Sequence, residues 1–342
     1  MNILITGNLG YIGSVLSDYL IKKEYKIVGF DNNLYKKNIL CNDNKLNKQI
    51  NKDIRNVSDE DFKKIDILIF LAALSNDPLG ELNPNITNEI NFEASISFIK
   101  KAKKNGVKKV IFISTQSIYG VSKTNEELDE ELSEKNPVTE YAKAKYKAEI
   151  ELRKIASDNF VICILRPSTV FGVSPRFRSD IVFNNFISCA YLNKKIEILS
   201  DGSPWRPVVH ILDLCSAINA VLIAPDSLVN NEAFNVGIEN GNYSVKDLAL
   251  AAQNAIPNSE LVFLNEHTDP RTYKVSFKKI LNVLSDFYKP EWNLEKGAIE
   301  MVNFFKKIDY SDEMFRGRMT TRLMQIKYLI DKKELDDNMR WL

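Results

Sequence analysis

"LITGNLGYIGSVL", residues 4–16, places three glycines at intervals of three, directly after an apolar run and directly before a helix-compatible stretch. The glycines are Gly7, Gly10 and Gly13. At a strand-to-helix junction, such glycines permit a tight turn, a close approach of the backbone to a diphosphate, and close packing of the helix on the strand. The N-terminus of the helix then faces the anion. The stretch predicts a dinucleotide-binding turn, for which a glycine-rich turn without a ligand is the alternative.

The first half of the chain alternates short apolar runs with helix-length amphipathic stretches. The runs are continuous, which is typical of strands buried on both faces. They read NILIT, KIVGF, DILIFLAA, KKVIFIST and FVICILRP. Stretches between them, such as IGSVLSDYLIKK and NFEASISFIKKAKKNG, predict helices. The repetition of strand, helix and strand predicts an α/β fold with a doubly wound parallel sheet, in which ligands bind beyond the carboxyl ends of the strands.

The second half of the chain is less regular, because Pro, Gly and Arg are interspersed in RPSTVFGVSPRFRSD and SDGSPWRPVVH. It predicts a smaller, interleaved lobe, since EAFNVG has the composition of a strand that returns to the sheet. The expected division is a nucleotide-binding domain over 1–167 with a returning strand near 232–237, a substrate lobe over 168–309 and a helical tail over 310–342. One helix face of that tail, suited to packing or to an oligomer contact, carries Leu323, Ile326 and Ile330.

Composition excludes several classes of partner. The chain has 342 residues with 46 basic and 45 acidic side chains, so no overall charge favours nucleic acid or an anionic membrane. The start, MNILITG, lacks a basic and long apolar leader, and no segment reaches the ~20 apolar residues of a membrane span. A cytoplasmic protein is therefore expected. Reduced thiols and no metal site are expected of the scattered cysteines, Cys41, Cys163, Cys189 and Cys215.

An acidic residue stands where a dinucleotide-binding domain requires one. Asp31 ends the run KIVGF, eighteen residues after Gly13, where a carboxylate can bond the adenosine ribose hydroxyls, with Asn32 beside it. The alternative is an aspartate that begins a turn. A carboxylate also repels a 2′-phosphate, which predicts NAD rather than NADP, although Lys36 and Lys37 lie downstream.

Further cofactor candidates follow the next strands. Asp53 and Ile54 can lie beside the adenine, and a solvated loop charge is the alternative for the aspartate. The alanines of FLAA are small enough to let a cofactor pass, and core packing is the alternative. The predicted cofactor-binding set is Gly7, Leu9, Gly10, Tyr11, Ile12, Gly13, Asp31, Asn32, Asp53, Ile54, Leu71, Ala72 and Ala73, together with Tyr141 and Lys145.

Tyr141 and Lys145, in TEYAKAKYKAEIEL, are four residues apart on one face of a predicted helix. To deprotonate an alcohol near neutral pH, a tyrosine pKa must fall by roughly three units, about 4 kcal/mol. A cation about 4 Å away at an effective dielectric constant of about 20 supplies about 4 kcal/mol. Thr115, in FISTQSIYG, ends a strand where its hydroxyl can share the proton. The alternatives are a surface Tyr/Lys pair and a threonine that bonds its own turn.

Together these motifs resemble the extended short-chain dehydrogenase/reductases, in their nucleotide-sugar epimerase/dehydratase family. TGNLGYIG, Asp31, KDI, FLAA, STQSIYG, Tyr141-x-x-x-Lys145, LRPSTVFG and SPWRPVVHILDL occur in the family's order over nearly the whole chain. The resemblance implies a Rossmann domain that binds NAD(P), a smaller lobe that binds a nucleotide sugar, and often a homodimer. It assigns the catalytic set to Thr115, Tyr141 and Lys145: the tyrosine accepts the sugar hydroxyl proton while hydride passes to the nicotinamide, whose ribose the lysine also holds.

The chain departs from the family where the reaction is decided. Members that are 4,6-dehydratases carry Asp and Glu just after the catalytic threonine, where this chain has Gln116 and Ser117. Neither side chain titrates usefully, which argues against dehydration. Relatives that epimerise beside the keto group carry Cys at the position of Ser117. What remains is hydride chemistry at one carbon, C4, either an epimerase or a net dehydrogenase; a non-catalytic NAD-binding module would typically lack the tyrosine or the lysine.

The second lobe supplies candidates for the substrate. The resemblance puts Asn185 and Arg206 near the diphosphate or nucleotide, and the guanidinium fork suits a diphosphate. For each arginine, a salt bridge or loop brace is the alternative. SPRFRSD adds Arg176 and Arg178 and resembles bacterial enzymes that modify GDP-linked or similar sugars, heptoses among them, for surface polysaccharides. The predicted substrate-binding set is Thr115, Gln116, Asn185, Arg206, Arg271 and Arg176.

Overall fold

One large parallel sheet organises the fold. The computed structural model describes residues 1–41, 46, 48–122, 126–265 and 272–342. The strands of the sheet are β1 (Asn2–Thr6), β2 (Lys26–Asp31), β3 (Lys48–Asn51), β4 (Ile67–Phe70), β5 (Lys109–Ile113), β6 (Val161–Pro167) and β7 (Glu232–Val236). Their spatial order is β3-β2-β1-β4-β5-β6-β7, and every neighbouring pair is parallel. The predicted doubly wound α/β fold is therefore confirmed, with the strand near 232–237 at the edge of the sheet.

Helices connect and cover these strands. The longer ones are α1 (Tyr11–Ile21), α2 (Ser95–Lys104), α3 (Glu140–Ile155), α4 (Val182–Asn193), α5 (Ile211–Ile223), α6 (Val245–Ala255), α7 (Leu294–Lys307) and α8 (Arg322–Asp331). A π-helical turn spans Glu89–Ala94. Other short helical segments are Ile54–Asn56, Asp59–Phe62, Asp77–Gly80, Pro84–Asn88, Gln116–Tyr119, Asp226–Val229, Lys278–Val283 and Asp312–Arg316. None of the helices in the described ranges is long and apolar enough to cross a membrane.

The continuous apolar runs are explained by a core on each face of the sheet. Successive side chains of a strand point to opposite faces. Accordingly Ile3 and Ile5 belong to one core cluster and Leu4 to the other, and all three are fully buried. On the second face, Phe98 of α2 packs edge-on against the ring of Phe30 with 5.2 Å between centroids. Both faces of the sheet thus exclude water, and its carboxyl edge is left for a ligand.

The chain reverses its direction across the sheet between β1 and β4. From β1 it proceeds outward through β2 to β3, and it then returns to β4 on the other side of β1. In doubly wound sheets, the crevice for a ligand opens at this point, beyond the carboxyl ends of the two strands. The segments that leave β1 and β4 begin at Gly7 and Leu71. The topology therefore brings the glycine stretch and FLAA to one site.

Smaller sheets build the second lobe beside this edge. Its strand Trp205–His210 pairs in parallel with Thr169–Phe171 and antiparallel with Asn242–Ser244. Two-stranded pairs join Lys195–Ile198 with Glu260–Phe263, and Glu127–Leu128 with Lys274–Val275. Helices α4, α6 and α7 pack on one another over these strands. The lobe faces the carboxyl edge of the large sheet, where the two parts enclose a cavity.

Helix α8 packs against the large sheet domain. Ile326 is fully buried and Leu329 is 3% exposed, and both belong to the core cluster that contains Leu4 and Phe30. Two of the residues predicted for this face, Leu323 and Ile330, lie partly buried at its margin. The apolar face of the tail is thus occupied by this chain's own core.

Candidate active site

A cavity of about 1070 Å³ lies between the carboxyl edge of the sheet and the second lobe. This volume slightly exceeds the usual range for small-molecule sites, about 300–1,000 Å³, which suits two ligands. The predicted site residues that line it are Gly7, Gly10, Tyr11, Ile12, Gly13, Asp31, Asn32, Asp53, Ile54, Leu71, Ala72, Ala73, Thr115, Gln116, Tyr141, Lys145, Asn185 and Arg206.

The glycine turn leaves no room for larger residues. Gly7 has a φ of +71°, and a Cβ there would lie 2.9 Å from the backbone nitrogen of Ala72. A Cβ on Gly13 would overlap the Gly7 carbonyl oxygen and lie 2.6 Å from Cα of Asn8. The N-cap of α1 is Gly10, which has no side chain to bond the first turn. The first N–H groups of α1 are thus left for an anion in the cavity.

Asp31 is held at the end of β2 by two backbone donors. Leu9 N donates to its Oδ2 at 3.1 Å and Asn33 N to its Oδ1 at 2.7 Å. Burial raises the pKa of this carboxyl, and the two hydrogen bonds oppose the rise. Leu9 does not line the cavity, so the structure gives it the task of orienting Asp31, whereas Asn32 does line it.

Asp53 lies in the cavity wall, but its carboxylate is paired. It accepts from the backbone N of Arg55 at 2.8 Å and from the guanidinium Nη2 at 2.7 Å. Although burial raises the pKa of Asp53, these bonds from Arg55 hold it below the ordinary value. Asp53 therefore fixes the turn that presents Ile54 to the cavity. It is not the solvated loop charge of the alternative reading.

Tyr141 and Thr115 meet in the cavity. The phenol interacts with the Thr115 side chain, and Thr115 Oγ1 accepts from Ser117 N at 3.1 Å. The threonine thus bonds its own turn and lies beside the tyrosine. Burial, followed by the nearby carboxylate of Asp77, raises the pKa of Tyr141 to about 12, while the interaction with Thr115 opposes the rise.

Lys145 lies on the same helix, with its ammonium directed to the end of a strand. Its Nζ donates to the carbonyl of Ile113, at the end of β5, at 2.8 Å, and lies 4.6 Å from the ring centroid of Phe112. Burial lowers the pKa of Lys145 to about 7. The charge effect on Tyr141 that we expected of Lys145 is not among the largest effects on the tyrosine pKa.

The burial of Lys145 predicts a cost in stability. At pH 7 the free energy of unfolding of the cofactor-free Lys145→Met variant is expected to be about 2–4 kcal/mol higher than that of wild type. The reason is that a lysine pKa lowered from 10.5 to about 7 shows a penalty for the charged form in the folded protein, which methionine does not pay. This gain shrinks as pH rises from about 7 to 10.5, since the unfolded lysine then loses its proton. Urea unfolding at several pH values measures both effects.

The matched control for the unfolding experiment is Lys143→Met on the same helix. Lys143 is 44% exposed and pairs with Glu140, so its removal should produce no pH-dependent gain. A Lys145→Met variant less stable than wild type at pH 7 would contradict the account of the buried ammonium.

Three predicted substrate residues line the cavity with their side chains already bonded. Asn185 Nδ2 donates to Ser179 O at 3.0 Å, and Arg206 Nη1 donates to Trp205 O at 2.8 Å. Gln116 Nε2 donates to the backbone of Arg166 at 3.0 Å, which fixes the amide beside Thr115. Gln116 keeps its Oε1 as an acceptor for a substrate.

One predicted substrate residue, Arg176, lies elsewhere. Arg176 is 3% exposed and does not line the cavity; its Nη1 donates to Tyr35 O at 2.6 Å, and its charge acts on Asp31. The structure therefore contradicts its assignment to the substrate and places it behind the cofactor end, because the loop after residue 172 folds back toward β2. Arg271 lies outside the described residues.

Several cavity residues escaped the sequence analysis. Asp77 accepts from Thr139 Oγ1 at 2.7 Å, at the N-cap of the helix that carries Tyr141. Asp180 was missed as well; it forms a two-pronged pair, with both distances 2.9 Å, with Arg178, which the sequence analysis named beside Arg176 and which does line the cavity. The position of Asp77 beyond the carboxyl end of β4 is a signal that could have found it. The residues of the C-terminal segment that line the cavity, such as Arg322, belong to no sequence pattern that could have identified them.

The cavity fits a dinucleotide on its own chemistry. Its glycine cradle would be filled by a single Cβ, and Asp31 stands at the end of the adjacent strand. Near Tyr141, Ser114 Oγ and Gln116 Oε1 are buried without a hydrogen-bond partner among the described residues. Buried polar atoms are rarely left unbonded in native proteins, so these atoms are suited to a polar ligand.

Comparison with known proteins also indicates a protein that binds a dinucleotide. A model of the NAD dependent epimerase/dehydratase family matches residues 3–237. The UDP-glucuronate 4-epimerase of Thermodesulfobacterium geofontis is 26% identical over 327 residues, which cover 89% of this chain and 96% of that protein. The dTDP-D-glucose 4,6-dehydratase of Mus musculus is 28% identical over 326 residues, covering 89% and 88%. Thermotoga maritima UDP-glucose 4-epimerase, crystallised with UDP-glucose, is similar with a TM-score of 0.77 and 25% identity, over 90% of this chain and 99% of that one.

Proposed function

This chain belongs to the NAD dependent epimerase/dehydratase family, and we propose that it is a nucleotide-sugar 4-epimerase that oxidises the C4 hydroxyl to a keto group and reduces it from the opposite face. The observation that carries the proposal is the position of Tyr141, with Thr115 as its neighbour, inside a cavity that begins at the glycine turn. In this proposal the nucleotide sugar is used for the synthesis of bacterial surface polysaccharides.

The side chains at the sheet edge have separate tasks. NAD, when bound at the glycine turn and Asp31, supplies the acceptor for the hydride and can return it. Tyr141 takes the hydroxyl proton through its phenolic oxygen, and Thr115 holds that oxygen and the substrate hydroxyl together. In this proposal Lys145, one turn along the helix, holds the nicotinamide ribose and supplies positive charge once it turns from the Ile113 carbonyl.

The neighbours of Thr115 support epimerisation over dehydration. Gln116 is 1% exposed and its amide nitrogen is bonded to the Arg166 backbone, so it stays a neutral amide beside the substrate. Elimination of water requires an acid and a base that change protonation, and neither this amide nor the Ser117 hydroxyl does so near neutral pH. The proposed reaction therefore leaves the rest of the sugar unchanged.

Asp77 should control the pH at which the enzyme works. Its carboxylate raises the pKa of Tyr141, so removing the charge with Asp77→Asn is expected to shift the acidic limb of the kcat/KM profile to lower pH. The asparagine oxygen can still accept from Thr139, which preserves the N-cap contact. The kcat/KM profile over pH, with a turned-over nucleotide sugar, measures the shift.

Glu81→Gln is the matched control, because Glu81 Oε1 accepts from the backbone of Glu140 at 2.9 Å at the same helix end and is not among the largest charge effects on Tyr141. An acidic limb that stays in place or moves to higher pH in Asp77→Asn would count against this charge effect.

A panel of UDP-, GDP-, CDP- and dTDP-sugars, incubated with the NAD-loaded protein and followed by NMR, tests the proposed reaction. We expect one sugar to equilibrate with its C4 epimer and no net NADH to accumulate. A 4-keto sugar formed with stoichiometric NADH would instead identify a dehydrogenase. A product that has lost water would overturn the argument from Gln116, and no conversion across the panel would overturn the proposed function.

A further inference from the structure

The loop that precedes α4, residues 172–181, joins the second lobe to the sheet domain at the cavity. Its Arg178 and Asp180 line the cavity, and both contact the segment that follows β4. Arg178 Nη1 donates to Ser75 O at 3.0 Å, and Asn76 Nδ2 donates to Asp180 Oδ2 at 2.9 Å. The position of this loop therefore decides how the two parts of the cavity wall meet.

Tyr11, in the glycine turn, holds this loop. It is the first residue of α1, and it lines the cavity. Its hydroxyl donates to Gly172 O at 2.8 Å and accepts from Asn184 Nδ2 at 3.2 Å. The same amide nitrogen donates to Arg178 O at 2.9 Å, and Asn184 Oδ1 accepts from Gly172 N at 3.1 Å. Tyr11, Gly172 and Asn184 thus form a junction between the cofactor turn and the second lobe.

The junction is buried, so water does not replace its hydrogen bonds. Tyr11 is 6% exposed and Asn184 is fully buried. Burial raises the pKa of Tyr11 above its ordinary value, so the hydroxyl keeps the proton that it donates to Gly172. Ser174 Oγ adds a second link, because it donates to Tyr11 O at 2.8 Å. Removing one partner of such a buried bond leaves the other partner uncompensated.

Two residues with proposed roles adjoin the parts that the junction fixes. Asn185, a predicted substrate residue that lines the cavity, directly follows Asn184 on α4. Asp77, whose carboxylate raises the pKa of Tyr141, directly follows the segment that Arg178 and Asp180 contact. A shift of the loop would therefore change the walls against which a substrate rests.

We infer that Tyr11 is a positioning residue: its backbone belongs to the cofactor turn, while its hydroxyl holds loop 172–181 and the start of α4 where they form the substrate half of the cavity. The effect on a nucleotide sugar rests on the proposed function, whereas the effect on the loop does not. A phenylalanine keeps the backbone that faces the cofactor and releases the loop. Loss of the hydroxyl should therefore weaken nucleotide-sugar binding without weakening NAD binding.

The test is Tyr11→Phe in the full-length, NAD-loaded protein. UDP, GDP, CDP and dTDP are titrated calorimetrically into wild type, and the nucleotide that binds most tightly is then titrated into the variant. We expect its Kd to rise about tenfold, as for loss of one buried hydrogen-bond partner, and the Kd of NAD to stay within about twofold. With a converted nucleotide sugar, KM should rise about tenfold while kcat changes by less than about threefold.

Asn184→Ala removes the other half of the junction and should raise the nucleotide Kd at least as much. The effect of the double variant should be smaller than the product of the two single effects, because both side chains act on one loop. Tyr19→Phe is the matched control on the same helix. Tyr19 packs partly buried against the core and does not line the cavity, so its variant should keep the wild-type Kd and KM.

Amide hydrogen exchange of residues 172–185 in the substrate-free protein measures the hold on the loop directly. We expect exchange in this segment to quicken about tenfold in Tyr11→Phe while that of β1 stays unchanged. Asn184→Ala keeps the inference testable if Tyr11→Phe fails to fold.

A folded Tyr11→Phe variant with wild-type exchange in residues 172–185, or with wild-type nucleotide Kd and KM, would overturn the inference. A Kd for NAD that rises as much as the nucleotide Kd would also overturn it. If exchange quickens in the variant but wild type binds none of the four nucleotides, the proposed function fails and the assignment of Tyr11 to the loop stands.

Discussion

Tyr141→Phe is expected to lower kcat roughly 10³-fold, the typical contribution of a positioned general acid–base, and to leave bound NAD at the wild-type level. The phenylalanine keeps the ring that lines the cavity and removes only the phenolic oxygen beside Thr115. Initial rates with a converted nucleotide sugar, together with NAD content, separate the two effects.

Tyr146→Phe is the matched control on the same helix. Tyr146 packs partly buried against the core and does not line the cavity, so its variant should keep wild-type activity. A Tyr141→Phe enzyme with activity close to that of wild type would remove Tyr141 from its proposed role, whereas loss of NAD would indicate damage to the fold.

Gly13→Ala is expected to raise the Kd for NAD about 100-fold or more and to lower the free energy of unfolding by about 1–3 kcal/mol. The reason is that the new Cβ meets only backbone, the Gly7 carbonyl and Cα of Asn8 at 2.6 Å, so the turn itself must move. Calorimetric titration with NAD and urea unfolding measure the two quantities.

Gly106→Ala separates binding from stability. Gly106 has a φ of +86°, and a Cβ there meets nothing within 4 Å, so the cost is conformational strain of about 1 kcal/mol. Its affinity for NAD should be that of wild type. A Gly13→Ala protein that binds NAD with unchanged affinity would show that the turn does not form the cofactor cradle.

The large sheet could be predicted because apolar runs in the sequence indicate which strands are buried. Strands β1, β4 and β5 are continuous apolar runs, and a strand buried on both faces requires that pattern. Strand β3, KQIN, was missed because it lacks such an apolar run. It is an edge strand with exposed ends, and its conformation is decided by pairing with β2, not by its own side chains. Its Gln49 instead bonds Asn8 beside the glycine turn at 2.8 Å.

The site was predictable where function depends on spacing along the chain. Tyr141 and Lys145 share a helix face, and Thr115 and Asp31 end strands, so local rules bring them to the cavity. The direction of the Lys145 ammonium was not predictable, because the Ile113 carbonyl that binds it is 32 residues away.

Arg176 and Arg322 show where sequence reasoning stops. Arg176 was assigned to the substrate by its motif, but it bonds Tyr35, 141 residues away. Arg322 reaches Tyr35 from the far end of the chain, and no local pattern marks such a contact. Both positions are set by how the second lobe and the tail pack on the sheet domain.

The most direct test of the account is a crystal structure of the protein with NAD and a nucleoside diphosphate. The account predicts the adenosine ribose at Asp31 and the nicotinamide ring within about 4 Å of the Tyr141 phenolic oxygen, with space between them for one sugar carbon. A nicotinamide ring bound away from Tyr141, with the phenol facing no reactive carbon, would contradict it.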